Sequence, residues 1–225
     1  MSYASHADIG GQRGHGAVTP EPEGASELWH APWEPRIMAL TVAMGATDLW
    51  NIDMSRSARE TLPNYAQLSY YEIWYTALRK LLIERRLVRR AELLSGNSID
   101  APLPVPSVLH AADIQTRLAR GTPTQRPAAV PAKFALGTRV QTVRRKADHH
   151  TRLPAYARGK VGTIERVHGA HVFADTHAHG LGEQAQWLYT VVFDAGQLWA
   201  ECAGLRQQVS VDAWEPYLEA YEDAA

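Results

Sequence analysis

Apolar residues recur at helical spacing in the first half of the chain, whereas in the second half they fall in short β-branched and aromatic stretches between turns. Between residues 69 and 97, an apolar stripe with a period near 3.6 residues predicts one long helix. Ser69 and Glu72 predict its start as a capping box, and Gly96 followed by Asn97 predicts its end.

Three shorter helices are predicted around this long one. The first covers residues 35–46 and opens with proline, which suits a first helical turn. The second follows Asp53 as its predicted N-cap and stops before Pro63. The third has Ser107 as its predicted cap and Gly121 as its stop.

The second half of the chain has the pattern of a small β domain. Short β-branched and aromatic stretches are separated by Gly, His and Asp turns, at residues 134–144, 160–167, 186–193 and 207–219. This spacing predicts a small antiparallel barrel or roll. The expected fold class is therefore α+β, with a helical domain over 32–120 and a β domain over 134–225.

In two further segments the apolar residues show no regular spacing. Residues 121–133 contain three prolines and are predicted to be a linker between the domains. Residues 1–31 contain clustered glycines and prolines that disfavour a regular element, yet they include apolar side chains that could be buried. This segment is either a disordered tail or an extended arm that lies on a partner.

Composition excludes several classes of protein. The chain has 225 residues, 45% hydrophobic and 21% charged, as in globular proteins, and its net charge of -1 argues against nucleic-acid binding by the chain as a whole. It has neither a membrane-length apolar run nor a secretory signal pattern. With Cys202 as the one cysteine, no internal disulfide or cysteine metal site can form, so a cytoplasmic location is expected.

Charge is unevenly distributed along the chain. Residues 1–34 carry five acidic side chains and one basic, residues 117–160 carry eleven basic and one acidic, and residues 183–225 carry eight acidic and one basic. Such segregation indicates electrostatically matched surfaces within the chain or between chains.

Local motifs reveal no catalytic apparatus. Six of the ten histidines fall between His149 and His179, but no cysteine or carboxylate accompanies them at a familiar zinc spacing, so turn histidines are the favoured interpretation. The basic run at residues 79–90 is interpreted as a solvated helix face. The segment 158–169 resembles a KOW-type element of SH3-like barrels, although it also describes a tight turn that enters a strand.

A series of short motifs, in order and spread nearly from end to end, carries a more specific resemblance. They are His6 and Gly10-Gly11 with Gly14-x-Gly16-x-Val18, Trp33-Glu34, Asn51-Ile52-Asp53-x-x-Arg56, Pro63-x-Tyr65, Tyr70-Tyr71-Glu72-x-Trp74, Phe134-x-x-Gly137-x-x-Val140, His150-Thr151-Arg152-Leu153-Pro154-x-Tyr156-x-Arg158-Gly159-Lys160-Val161-Gly162, Ala178-His179-Gly180-x-Gly182-Glu183, Tyr189-x-Val191-x-Phe193 and Val211-Asp212-x-Trp214-x-x-Tyr217-Leu218-Glu219. Together they resemble the β subunit of nitrile hydratase.

The resemblance implies a function and a partner. In that family the β subunit joins an α subunit as a heterodimer or as a dimer of heterodimers, and the complex, a hydro-lyase, adds water to a nitrile to give an amide. The α subunit holds Co(III), or alternatively Fe(III), through a Cys-x-x-Cys-Ser-Cys claw in which two cysteines are oxidised. The β chain binds no metal. Its implied fold is an N-terminal arm that contacts α (residues 1–31), a helical domain and a C-terminal SH3-like β-roll.

The resemblance also implies site residues. By motif position, Arg56 and Arg152 match the two family arginines that hydrogen-bond the oxidised cysteine oxygens of α, with Arg59 and Arg158 as rival positions. A guanidinium suits this role because it donates two parallel bonds to an anionic oxygen group and stays charged. The bound sulfenate then acts either as a nucleophile toward the nitrile carbon or as a base for water.

The substrate pocket is implied at five positions: Ile37, Ile52, Ser55, Tyr70 and Trp74. Ser55 departs from the bulkier apolar residue of the family pattern, which predicts a roomier or more polar pocket wall. Tyr70 and Trp74 are one helical turn apart, so both can face one cavity. Trp74, rather than tyrosine, is more similar to the cobalt-type enzymes.

Two other functions are compatible with parts of this pattern. One is a thiocyanate hydrolase component, although the β-equivalent chain of that enzyme is usually split and this chain runs unbroken through residues 121–133. The other is an SH3-like adaptor or activator that matures the metal subunit, although small activators resemble the N-terminal half alone.

Overall fold

The computed structural model describes residues 3–20 and 28–222 and divides the chain into two compact units. The helical unit comprises Ala4–Gly121, and the sheet unit comprises Thr122–Ala225 together with Met1–Tyr3. The arm predicted for residues 1–31 lies partly outside the described residues. Its described part, residues 3–20 and 28–31, has turns and bends but no helix or strand.

The helical unit is built around its third helix. Its helices are α1 (Glu34–Gly45), α2 (Ile52–Glu60), α3 (Tyr70–Glu84), α4 (Arg90–Ser95) and α5 (Ile114–Arg120). Helices α1 and α2 both pack on α3, and a buried cluster stabilises this arrangement, formed by Trp50, Ala58, Ala77, Leu78 and Leu81. No helix within the described residues is long and apolar enough to cross a membrane.

The prediction of one unbroken helix from residue 69 to residue 97 was wrong. Helix α3 ends at Glu84, and Arg86 adopts a left-handed backbone conformation with φ of 58°. A second helix then starts after Arg89, whose backbone N–H donates to Glu92 Oε2 at 2.6 Å. The last helix also differs from the prediction, because it begins at Ile114 rather than after Ser107.

The sheet unit contains six antiparallel strands among its described residues. They are β1 (Gln125–Arg126), β2 (Arg139–Thr142), β3 (Val161–His171), β4 (Gln186–Asp194), β5 (Gln208–Trp214) and β6 (Leu218–Ala220). The sheet order is β5-β4-β3-β2-β6, with β1 paired to the end of β3. The predicted α+β class, with helices first and an antiparallel sheet second, is confirmed.

Alternation along β4 accounts for the core of the sheet unit. Tyr189, Val191 and Phe193 occupy every second position and are fully buried, as expected for one face of a strand. Gly162 in β3 lies against this row. A Cβ atom at Gly162 would lie 2.7 Å from Val191 Cγ1 and 2.8 Å from the Val192 carbonyl oxygen, so the close approach requires glycine.

The predicted linker, residues 121–133, is bonded to the sheet unit at several points. Arg126 in β1 forms a two-pronged ion pair with Glu183, through Nε and Nη2 at 2.6 Å each. Further along, the Trp187 indole N–H donates to the Val130 carbonyl at 2.8 Å. Residues from Thr122 onward therefore belong to the sheet unit.

Candidate functional site

The first predicted arginine, Arg56, lies on α2 and is held by a buried carboxylate. Helix α2 is capped by Asn51, whose side-chain oxygen accepts the backbone N–H of Met54 at 2.9 Å, so the predicted cap at Asp53 was wrong. Asp53 is buried in the first turn and accepts from Arg56 Nη1 at 2.9 Å. This bond orients the guanidinium while its other donors remain available for an external acceptor.

Arg59 lies one turn further along α2 and folds back onto the helix. Its Nε donates to the Ser55 carbonyl at 3.2 Å, and its Nη2 donates to the Ser55 hydroxyl at 3.4 Å. The guanidinium carbon lies 5.0 Å from the centre of the Trp74 ring, a cation–π geometry. Burial, followed by the nearby charge of Arg56, lowers the pKa of Arg59 below its usual value.

The five predicted pocket residues lie on α1, α2 and α3 of the helical unit. Tyr70 and Trp74 are adjacent, with ring centroids 5.5 Å apart, and Ser55 is joined to Trp74 through Arg59. Ile37 is buried on α1, whereas Ile52, the first residue of α2, is 48% exposed. Because Tyr70 is also 63% exposed, part of this surface is open to solvent.

An aromatic cluster that the sequence prediction did not include surrounds Tyr70 and Trp74. Tyr71 lies 5.1 Å from the Tyr70 ring centre and 5.8 Å from that of Trp74, and Trp29 lies 5.2 Å from Tyr71. The Tyr-Tyr-Glu-x-Trp run could have indicated Tyr71. Trp29 could not be found in this way, because it lies in the arm, far from α3 in sequence.

The second predicted arginine, Arg152, is an exposed residue on a loop of the sheet unit. Its backbone N–H donates to the hydroxyl of buried Tyr217 at 3.0 Å. The neighbouring Leu153 is buried, and its carbonyl accepts from Arg158 Nη2 at 3.2 Å. One function of Arg158, the rival position, is thus to brace the loop that presents Arg152.

A buried polar network lies beneath this loop. Tyr217 donates its hydroxyl proton to Asp175, which is also hydrogen-bonded to Thr151 and lies 3.5 Å from His149 Nδ1. Burial raises the pKa of Asp175 to about 6, against the opposing effects of Tyr217 and His149. Burial and the adjacent Asp175 also raise the pKa of Tyr217. The prediction of site residues missed Asp175, and no spacing signal in the sequence marks it.

Histidines hold the start of the same loop. The backbone N–H of His150 donates to His179 Nε2 at 3.2 Å, and the rings of His149 and His179 are 6.1 Å apart. His150 itself is fully buried, and its Nδ1 lies 3.4 Å from the Tyr3 hydroxyl. The interpretation of these histidines as turn residues was therefore incomplete, because His150 is buried, and His168 and His171 lie in β3.

Within the described residues, no group of three or more His, Cys, Asp or Glu side chains is arranged to hold a metal ion. Cys202 is a free thiol. The cationic side chains of both candidate sites are suited instead to an anionic or strongly accepting group presented by another molecule.

Comparison with known proteins gives matches along most of the chain. Residues 3–119 match the family model for the nitrile hydratase beta subunit, N-terminal, and residues 123–220 match the model for its C-terminal part. The low-molecular-weight cobalt-containing nitrile hydratase subunit beta of Rhodococcus rhodochrous is 34% identical, over 94% of this chain and 96% of that protein. The nitrile hydratase subunit beta of Pseudomonas putida is 32% identical, over 94% of this chain and 97% of the relative.

A more distant relative has a different function. Thiocyanate hydrolase subunit alpha of Thiobacillus thioparus is 36% identical, but over only 31% of this chain and 56% of its own length.

Proposed function

Because this chain belongs to the nitrile hydratase β-subunit family, we propose that it hydrates nitriles to amides as the β subunit of a complex with a metal-bearing α subunit. The observation that carries the proposal is that both family models match, so that the helical unit and the sheet unit are each accounted for. The complex is proposed to be a hydro-lyase that is active only when both subunits are present.

Arg56 and Arg152 are proposed to bind the oxygen atoms of oxidised cysteines on the α subunit. Such oxygens are anionic acceptors, and charge-assisted bonds from a guanidinium are about twice as strong as neutral ones. In support, Arg56 is oriented by buried Asp53 and Arg152 is held at its backbone by Tyr217. The bond to Asp53 uses one donor of Arg56 and leaves others for the partner.

The metal is proposed to be Co(III), with Fe(III) as the alternative, and to be held by the α subunit. Support for cobalt comes from the cobalt-containing relative, and this chain offers no three-ligand cluster within its described residues. A bound metal supplies a Lewis acid that polarises its ligands. This chain is proposed to hold the ligand oxygens by hydrogen bonds and to line the substrate pocket.

The pocket is proposed to be lined from this chain by Ile37, Ile52, Ser55, Tyr70 and Trp74. In support, Tyr70 and Trp74 lie together on α3, and the small side chain of Ser55 leaves more room than a bulky apolar residue. The exposed parts of Ile52 and Tyr70 are the surfaces that the α subunit is proposed to enclose. We propose further that the sheet unit is an SH3-like roll, that the arm contacts α, and that the αβ pair occurs alone or as a dimer of pairs.

The alternative of a thiocyanate hydrolase component is not favoured. The relative of that function matches less than a third of this chain, whereas the nitrile hydratase subunits match nearly all of it.

Co-expression with an α subunit that carries the cysteine claw tests the proposal. We expect a stable complex that contains about one cobalt or iron per αβ pair and converts a simple nitrile such as propionitrile to its amide. Chromatography, metal analysis and amide detection are the measurements. A chain that never joins α, or a metal-loaded complex that forms no amide, would contradict the proposal.

A further inference from the structure

We infer that Arg59 makes the nitrile pocket selective for substrates that carry a carboxylate at the end remote from the nitrile. This inference rests on the proposed function, because the pocket is defined by it. To the proposed function it adds a substrate class, nitriles that carry a carboxylate, and a residue that determines specificity, Arg59.

The position of Arg59 is the first argument. Its guanidinium touches two of the five proposed pocket residues, with hydrogen bonds to Ser55 and a cation–π contact to Trp74. These contacts hold the planar group against the aromatic face, so little side-chain entropy remains to be lost when a ligand binds. The cation is therefore a fixed part of the surface that a substrate would contact.

The neighbours of Arg59 are the second argument. Arg56 is paired with the buried carboxylate of Asp53, whereas the hydrogen bonds of Arg59 go to Ser55, a neutral acceptor. They use Nε and Nη2, so the Nη1 hydrogens lie outside these bonds. Arg56 lies close enough to Arg59 to add to the positive potential there, and its effect on the pKa of Arg59 exceeds the opposing effect of the nearby carboxylate of Glu60. The site thus favours an incoming negative charge.

The chemistry of recognition follows from this arrangement. The carboxylate of a bound nitrile would accept from the Nη1 edge of Arg59, in a half-buried place where such a bond is stronger than in open water. The nitrile end of the same molecule remains free to react with water to give the amide. A neutral nitrile of the same size would gain no such bond, so the ratio of the two specificity constants reports the role of Arg59.

Two probes of equal shape test this inference in the αβ complex: 3-cyanopropanoate and 3-cyanopropanamide. Arg59→Met retains the long apolar stem over Trp74 but removes the charge, and we expect it to lower the kcat/KM ratio of acid to amide by roughly 10- to 100-fold. Arg59→Lys keeps the charge but loses the planar pair of donors, and its kcat/KM ratio should lie between those of wild type and Arg59→Met.

The matched control is Arg79→Met. It removes a similar cation, 5.2 Å from the Tyr75 ring and outside the five pocket positions, and should leave the ratio unchanged.

Calorimetry with the two products, succinamate and succinamide, provides a readout that needs no turnover. Wild-type complex should bind succinamate more tightly than succinamide, and Arg59→Met should remove that difference.

An unchanged kcat/KM ratio and unchanged succinamate binding in Arg59→Met would overturn the inference while the proposed function stands. Equal loss of activity on both nitriles would also overturn it, because Arg59 would then be catalytic. If wild type hydrates neither nitrile but binds succinamate through Arg59, the proposed function fails, and what stands is a carboxylate-binding site at Arg59.

If Arg59→Met does not assemble with α, Arg59→Gln serves in its place, because its amide can still bond Ser55 without carrying a charge.

Discussion

The backbone N–H of Arg152 donates a 3.0 Å hydrogen bond to the hydroxyl of Tyr217, and the same hydroxyl donates onward to buried Asp175. One phenol oxygen therefore links an exposed loop arginine to the interior of the sheet unit. Because the bond is made by the main chain, it fixes the position of the Arg152 backbone and does not itself orient the guanidinium group.

Tyr217→Phe is expected to lower both stability and turnover. The variant leaves Asp175 and the Arg152 N–H without this partner, at a cost of about 1–3 kcal/mol in the free energy of unfolding. Turnover should fall because the backbone of Arg152 is no longer held in place by this hydrogen bond. Chemical unfolding and amide formation by the αβ complex are the measurements.

Tyr189→Phe is the matched control for that experiment. Tyr189 is also buried in the sheet unit and donates to a carboxylate, but that carboxylate belongs to Glu215, outside the Arg152 loop. It should lose comparable stability with little loss of turnover. Equal turnover losses in both variants would argue against a specific role for Tyr217.

Arg56→Lys and Arg152→Lys should each leave the heterodimer assembled and reduce turnover by roughly 100-fold. The charge is retained, but the planar pair of donors is lost. Steady-state kinetics and size-exclusion chromatography are the measurements. Arg158→Lys, at the rival position, should stay within a few-fold of wild type, and wild-type rates in both test variants would remove their assigned role.

The raised pKa of Asp175 predicts that the free energy of unfolding depends on pH. Burial raises its pKa from 3.8 to about 6, so the folded chain binds a proton that the unfolded chain releases. Its contribution to the free energy of unfolding is therefore fully present below pH 3.8 and is lost as pH rises through about 6, with a size of about 3 kcal/mol.

Asp175→Asn should flatten this part of the pH profile. Asparagine keeps an oxygen that can accept from Tyr217 but does not titrate. Thermal unfolding of the wild-type and variant complexes between about pH 4 and pH 7 measures the difference, in which other titrating groups cancel. Parallel profiles would show that Asp175 does not titrate in this range.

Gly162→Ala is expected to destabilise the sheet unit by about 1–3 kcal/mol, because the new methyl group would press on Val191 and the Val192 carbonyl. Gly45→Ala is the matched control at the end of α1, where nothing lies within 4 Å of the added atom. It should be neutral or stabilising by up to about 1 kcal/mol. Equal effects on the unfolding midpoint would contradict the close approach at Gly162.

Local signals in the sequence predicted the parts of the fold that depend on near neighbours. The capping box at Ser69 and Glu72 is present, with the backbone N–H of Ser69 donating to Glu72 Oε2 at 2.8 Å. The strand over 186–193 was also predicted, because this short stretch is rich in β-branched and aromatic residues and is bounded by turn residues. Both features are set by residues a few positions apart, which is the range over which spacing is informative.

Features that depend on competing or distant partners were not predictable. The basic run after Glu84 favours helix by propensity, but Arg89 pairs with Asp100 and starts a new helix. At α2, Asn51 and Asp53 are both good caps, and Arg56 engages Asp53. Asp175 and Tyr217 are 42 residues apart, so no spacing rule connects them. The site arginines followed from motif resemblance, and their roles remain predictions.

The contact between Tyr3 and His150 has a consequence for biosynthesis. The two residues are 147 positions apart, yet Tyr3 belongs to the sheet unit. On the ribosome, Tyr3 emerges while its partner is still untranslated, so this bond can close only after residues 4–121 have been made and have had time to fold. A fragment that starts at Thr122 would lack Tyr3 and its contact with His150. The isolated C-terminal half would therefore not reproduce the complete sheet unit of the full chain.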